Sequence, residues 1–162
     1  GSEHTVDGHS YPLEMHMVHV QRDNVDPMHT PGGVAVLGVM FKVGAKSNAA
    51  MQPLVDAALH VNPYSVGKTA IDVNVRVDVQ VADLYPFDRI NDYLTYAGSF
   101  TAPGCYESVN WLVAASPMTI SPEQLANLRA AEHSPGHVIG SNYRPTQPLN
   151  GRKVHATTSG AQ

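Results

Sequence analysis

The sequence predicts a mostly β protein with a few short surface helices, and three observations carry that expectation. Apolar or alternating runs of strand length recur at 11–20, 34–43, 71–81 and 108–115, whereas helical spacing appears only near 50–60 and 121–132. Gly, Pro, Asn and Asp clusters separate these runs, as turns between strands require. The composition, 43% hydrophobic and 15% charged over 162 residues, suits one globular domain and excludes collagen-like, coiled-coil and charge-rich disordered chains.

Tyr11 to Val20 is bounded by polar turn residues and is rich in aliphatic side chains, so it predicts a strand. Strand alternation puts Leu13, Met15, Met17 and His19 on one face and Glu14, His16, Val18 and Val20 on the other. After a Pro-Gly-Gly turn at 31–33, Val34 to Val43 is apolar on both faces, which predicts a strand buried in mid-sheet. Met51, Leu54, Val55, Ala58 and Leu59 recur at helical spacing, with Pro53 tolerable only near the start, so a short surface helix is expected over about 50–60.

Ile71 to Val81 alternates strictly between aliphatic and polar residues, the signature of a half-exposed strand. The stretch from Tyr85 to Gly98 reads as turn-rich and leads into a second buried strand, Ser108 to Ala115, which holds the single Trp111. Ser121-Pro122-Glu123-Gln124 supplies an N-cap serine, a first-turn proline and a glutamine three residues after the cap, opening a helix through about Glu132. The tail from Ser134 is expected to be mostly extended loop, and 155–162 a disordered end.

Charge and length exclude several functions. Ten Lys and Arg against 14 Asp and Glu give a net charge of −4, so there is no electrostatic footprint for nucleic acid. Apolar runs such as Val34 to Phe41 fall far short of the roughly 20 residues of a membrane-spanning helix. No Gly-rich phosphate loop, Gly-x-Ser-x-Gly turn or paired-cysteine zinc pattern is present. Nine histidines supply metal ligands and proton carriers, while Cys105, the single cysteine, is either a reduced cytosolic thiol or half of a bridge whose partner lies outside the chain. The chain starts at Gly1 with no signal segment, so its true start is expected upstream or removed.

His16 and His19 are the first chemical candidates. On a strand they face opposite sides, so one at most looks into a given cavity. His16 shares its face with Glu14, the arrangement in which a carboxylate fixes the tautomer of a metal-bound imidazole. Taken alone, these ten residues favour a core histidine hydrogen-bonded to Glu14. By the same standard Thr101, in a turn, satisfies local backbone groups, Glu3 and His4 are surface polar residues, and Val18, Val36, Phe100, Val109 and Trp111 are core.

The order of six blocks adds to this. Gly1-Ser-Glu-His-Thr-Val-Asp7, Leu13-Glu-Met-His-Met-Val-His19, Gly33-Val-Ala-Val-Leu-Gly38, Tyr96-Ala-Gly-Ser-Phe-Thr-Ala-Pro103, Val109-Asn-Trp111 and Asn142-Tyr-Arg-Pro-Thr-Gln-Pro-Leu149 together resemble the α-class carbonic anhydrases. The resemblance covers residues 1–154 and corresponds to the later part of that family's domain. It implies a mostly β fold, a twisted, largely antiparallel sheet of the α-carbonic anhydrase type. It further implies a Zn2+-dependent lyase that hydrates CO2 reversibly to bicarbonate and a proton, the zinc-bound hydroxide being the nucleophile.

By that resemblance His16 is one of three zinc-ligating histidines, the other two forming a His-x-His pair expected upstream of Gly1. Thr101 corresponds to the threonine that accepts a hydrogen bond from the hydroxide and donates to a glutamate, here Glu3. Glu14, His4 and Tyr96 correspond to the network supporting the ligand. Val18, Val36, Phe100, Val109 and Trp111 correspond to the apolar wall where CO2 waits. Phe100 stands for a usual leucine, Ala102 for a second threonine, Gly104 for a proline and Val20 for a tryptophan, and the stretch 71–81 has no clear counterpart. Cys105 corresponds to a cysteine that secreted members bridge to one near their N-terminus, which implies a disulfide to an upstream cysteine and a secreted, periplasmic or luminal location. The partners implied are small molecules, CO2 and bicarbonate, with no nucleic acid and no membrane span. Two further readings are an acatalytic carbonic anhydrase-related binding module and a segment inactive without its upstream part.

Overall fold

The computed structural model describes residues 1–60, 76–86, 92–131, 133–134, 137–138 and 141–157. Its main sheet has six strands: β1 (Leu13–Val20), β2 (Val34–Val43), β3 (Tyr93–Gly98), β4 (Val109–Ala114), β5 (Met118–Ile120) and, late in the chain, β8 (His155–Thr157). Their order is β1-β2-β4-β3-β8, with β5 paired to β2 off that path. β1–β2, β3–β4 and β3–β8 pair antiparallel, and β2–β4 run parallel. The sheet is therefore largely antiparallel, as the sequence predicts. A two-stranded ladder, β6 (His133–Ser134) with β7 (His137–Val138), stands apart.

The chain forms two compact units. The first comprises residues 1–41, 86–118 and 143–162, the second 42–85 and 119–142. In the first unit Val34, Val36, Met40, Val109, Trp111 and Val113 are buried together, with Val6, Tyr11, Leu94, Tyr96 and Phe100 packed against them. A fully buried side chain of this size contributes roughly 1.5–3 kcal/mol, so β2 and β4 anchor the unit. The apolar run at 34–43 does form a mid-sheet strand, because a strand flanked on both edges and covered on both faces can carry no polar side.

The second unit holds α1 (Gln52–His60) and α2 (Pro122–Ala131), which pack on one another. Met51 and Val55 are buried, so α1 is half-core rather than purely superficial. The capping residues at 121–124 behave as their spacing dictates: the Gln124 N–H donates to Ser121 Oγ (3.2 Å) and the Ser121 N–H to Gln124 Oε1 (3.3 Å).

Three expectations need correction. Residues 71–75 lie outside the described residues, but Arg76 to Gln80 is not in a strand and Val81–Leu84 is a 3-10 helix. Alternating burial is a property of any extended chain lying on a surface, so the period-2 pattern reports exposure and not a ladder. Tyr93–Gly98, within the supposed turn region, is a paired strand, and its Tyr, Leu and Thr residues have the β preference that the flanking Pro, Asn and Asp obscured. His155–Thr157, assigned to the disordered tail, pairs with β3, and Thr157 Oγ1 donates to Tyr93 O at 3.1 Å; residues 158–162 lie outside the described residues. No helix among the described residues is long and apolar enough to cross a membrane.

Candidate metal centre

The site grows from strand register. Val18 pairs with Val36, Val36 with Trp111 and Trp111 with Tyr96, so one row of side chains crosses β1, β2, β4 and β3. One step along β1, His16 pairs with Gly38. A Cβ on Gly38 would lie 3.2 Å from Glu14 Oε1 and 3.7 Å from the Trp111 ring, so the missing side chain leaves room for the carboxylate and indole.

Glu14 is the hub, with its side chain 2% exposed. Its Oε2 accepts the backbone N–H groups of Glu3 (2.8 Å) and His4 (2.9 Å). Its Oε1 lies 2.6 Å from His4 Nδ1 and 2.8 Å from His16 Nε2. Burial alone would raise the Glu14 pKa, but the side-chain hydrogen bonds from His16 and His4, with the backbone N–H of His4, outweigh it and hold the carboxyl well below the usual carboxylate range. An ionised carboxylate only accepts, so the protons reside on His4 Nδ1 and His16 Nε2.

Two consequences follow. His4 Nε2 is left to accept from the Tyr96 hydroxyl at 2.6 Å. In neutral His16 the lone pair is left on Nδ1, whose nearest carboxylate oxygen is Glu3 Oε2 at 3.8 Å. Trp111 sits against both imidazoles, with ring centroids 4.7 Å from each, and its Nε1 donates to Ser99 O at 3.1 Å. The Tyr96 hydroxyl pKa is pushed up to about 12 by burial, with the charges of Glu14 and Glu3 adding and that of Arg152 opposing.

Ligand atoms of His4, Glu14 and His16 all lie within 4.8 Å of one another. Within that group Glu14 and His4 spend their polar atoms on each other, on His16 and on Tyr96. His16 Nδ1 is the atom whose chemistry fits a metal: a neutral imidazole nitrogen with a carboxylate fixing the opposite ring nitrogen. The group therefore fits zinc as one donor with its backing, not as a closed three-ligand set.

A cavity of about 700 Å3 in the first unit is lined by Glu3, His4, Tyr96, Thr101 and Trp111, among others. His16, Val18, Val36, Phe100 and Val109 are not on its wall; His16 adjoins it through Glu3. Thr101 and Glu3 share the cavity, but among the described residues no hydrogen bond joins them. Glu3 Oε1 instead accepts the Arg144 backbone N–H at 2.8 Å. Val36, Val109 and Trp111 are buried, whereas Val18, read from the sequence as core, is 55% exposed near the end of the outermost strand. Arg144 was not singled out by sequence reasoning, although it stands inside the block Asn142 to Leu149; a backbone donor leaves no mark on residue type.

Comparison with known proteins accords with this geometry. The chain is 39% identical over 164 residues to carbonic anhydrase 3 of Mus musculus and 40% identical over 165 residues to carbonic anhydrase 1 of the same species. It is 39% identical over 171 residues to the mitochondrial carbonic anhydrase 5A of Rattus norvegicus. Each alignment covers 97% of this chain, but the chain spans only 60% of the first two relatives and 51% of the third. Residues 1–158 match the eukaryotic-type carbonic anhydrase family, and the chain belongs to that family.

Proposed function

We propose that this chain provides the later part of a zinc-dependent carbonic anhydrase, a lyase that hydrates CO2 reversibly to bicarbonate. The observation that carries the reading is the 2.8 Å contact between His16 Nε2 and the Glu14 carboxylate: an acceptor there favours the proton on Nε2 and leaves the Nδ1 lone pair for a cation. His16 is one zinc ligand in this reading, and the remaining two histidines come from chain outside these 162 residues. When bound, zinc activates water at neutral pH for attack on CO2.

The chain's own residues have separable tasks. Glu14 and His4 orient the His16 ring, and Tyr96 completes that chain of hydrogen bonds. Glu3, with Oε1 occupied by the Arg144 N–H, keeps Oε2 to accept the Thr101 hydroxyl proton, which turns the Thr101 oxygen into an acceptor for the reacting water. Of the apolar set, Trp111 lines the cavity that holds Thr101 and Glu3 and offers CO2 a surface to rest against, a nonpolar substrate needing shape more than hydrogen bonds, while Val36, Val109 and Phe100 pack behind it and Val18 lies exposed on β1. Cys105, partly exposed, keeps its reading as half of a disulfide in a secreted, periplasmic or luminal protein on the strength of its family position alone. Mass mapping of the full-length protein under non-reducing conditions tests that pairing.

The test of the main reading is zinc content and stopped-flow CO2 hydration of the full-length protein and its His16→Ala variant. Loss of both in the variant is expected; retention of both overturns the reading. An acatalytic binding module is the second reading, favoured by the single open donor within the His4, Glu14 and His16 group. It requires a full-length protein that holds no zinc.

A further inference from the structure

We propose that Arg144 is a positioning residue that sets Thr101 against Glu3, clamping the two members of the nucleophile-orienting pair from opposite sides; this rests on the hydratase reading above. The Arg144 backbone N–H donates to Glu3 Oε1 at 2.8 Å, while its Nη1 donates to Ser99 Oγ at 3.1 Å and Phe100 O at 3.4 Å. One residue thus holds the Glu3 carboxylate with its main chain and the turn leading into Thr101 with its side chain. Thr101 directly follows Phe100, so any slide of the 99–100 segment carries the hydroxyl with it.

The surrounding contacts show what the guanidinium adds. Ser99 O is tied to the sheet by Trp111 Nε1, and the Phe100 N–H donates to Tyr106 O at 3.1 Å. Those bonds keep the turn folded without Arg144, yet neither reaches Glu3. Among the described residues, the arginine alone hydrogen-bonds both the turn and the carboxylate across the cavity that both line. Pro145 next to it strengthens the clamp, since a residue before proline is restricted to extended backbone and its N–H direction is set in advance. The planar guanidinium presents one Nη1 to both Ser99 Oγ and Phe100 O in a fixed fork, so a lysine would replace the charge without the geometry.

The experiment uses the full-length protein with Arg144→Met, Arg144→Lys and Ser99→Ala. Arg144→Met is expected to quicken amide hydrogen exchange at Phe100 and Thr101 about tenfold while leaving β2 unchanged. It is expected to lower kcat for CO2 hydration by about 10- to 100-fold at unaltered zinc content and KM, the cost of a misplaced group. Arg144→Lys recovers only part of kcat. Ser99→Ala, which removes one acceptor and leaves the arginine in place, gives a smaller loss that does not add to that of Arg144→Met. Unchanged exchange at Phe100 and Thr101 in Arg144→Met, or faster exchange with unchanged kcat, overturns the clamp while hydration by the wild type leaves the reading of the site intact. A wild type that hydrates no CO2 overturns that reading, and the positioning role with it.

Discussion

The Glu14 side chain in the first unit and Gln124 in the second are both buried, and each fills its full hydrogen-bonding capacity, yet their networks end differently. Gln124 Oε1 accepts from the backbone of Asn48 and Ser121, and its Nε2 donates to Asn48 O and Gln52 Oε1. Every partner is consumed locally, and the network joins α1, α2 and the loop before α1. Glu14 is equally saturated, but two of its partners are imidazoles. An imidazole that donates from one nitrogen offers a lone pair on the other, so the same saturation exports acceptors at His4 Nε2 and His16 Nδ1. Buried polarity that closes on itself is architecture, and buried polarity that leaves a directed lone pair is a site.

The comparison is broken or sharpened first by Glu14→Ala. Four donors lose their acceptor at once, so the unfolding free energy measured in urea should fall by about 3 kcal/mol or more. Zinc affinity of the full-length protein should fall by roughly 10- to 100-fold in the same variant. Gln124→Leu should cost about 2 kcal/mol by stranding the Asn48 and Ser121 amides, and should leave zinc affinity unchanged. Equal losses of zinc affinity in the two variants would erase the distinction.

Tyr96→Phe comes next, at about 1.5 kcal/mol for the lost bond to His4. It also has a pH signature. The phenol is raised from 10.0 to about 12, so the folded state holds its proton more tightly than the unfolded state does. Its contribution is complete below pH 10 and disappears as pH climbs towards 12. The phenylalanine variant should therefore lose less stability over that range, as read from unfolding curves at successive pH values. Ser121→Ala, a capping change in the second unit, should cost about 1 kcal/mol and leave the alkaline slope untouched.

Much of this was legible in residue types and spacing. The central strand at 34–43 announces itself because its run Val34 to Phe41 is apolar on both faces, as only a strand covered on both sides can be, and 109–114 follows it apart from exposed Asn110. The α2 cap is equally plain, since Ser121 and Gln124 satisfy each other through contacts three residues apart. Glu14 and His16 are linked by period-2 alternation alone. What stays hidden depends on contacts distant in sequence. That Glu14 also gathers His4 and the amides ten and eleven residues earlier follows from where the chain before β1 lies, which no local pattern encodes. Arg144 reaches Glu3 across 141 positions through a backbone group every residue type but proline possesses. The misread stretch at 76–81 teaches the converse, because alternation without a neighbouring strand yields no ladder.

The central claim is chemical and concerns one nitrogen, so the most direct measurement is nitrogen-15 NMR of the His16 ring in the full-length protein before and after zinc is added. The Nε2 resonance should keep its directly bonded proton, held by Glu14, while the Nδ1 resonance moves from that of a free lone pair to that of a metal-bound nitrogen. A His16 ring indifferent to zinc, or one that surrenders the Nε2 proton to bind through that atom, would contradict the account.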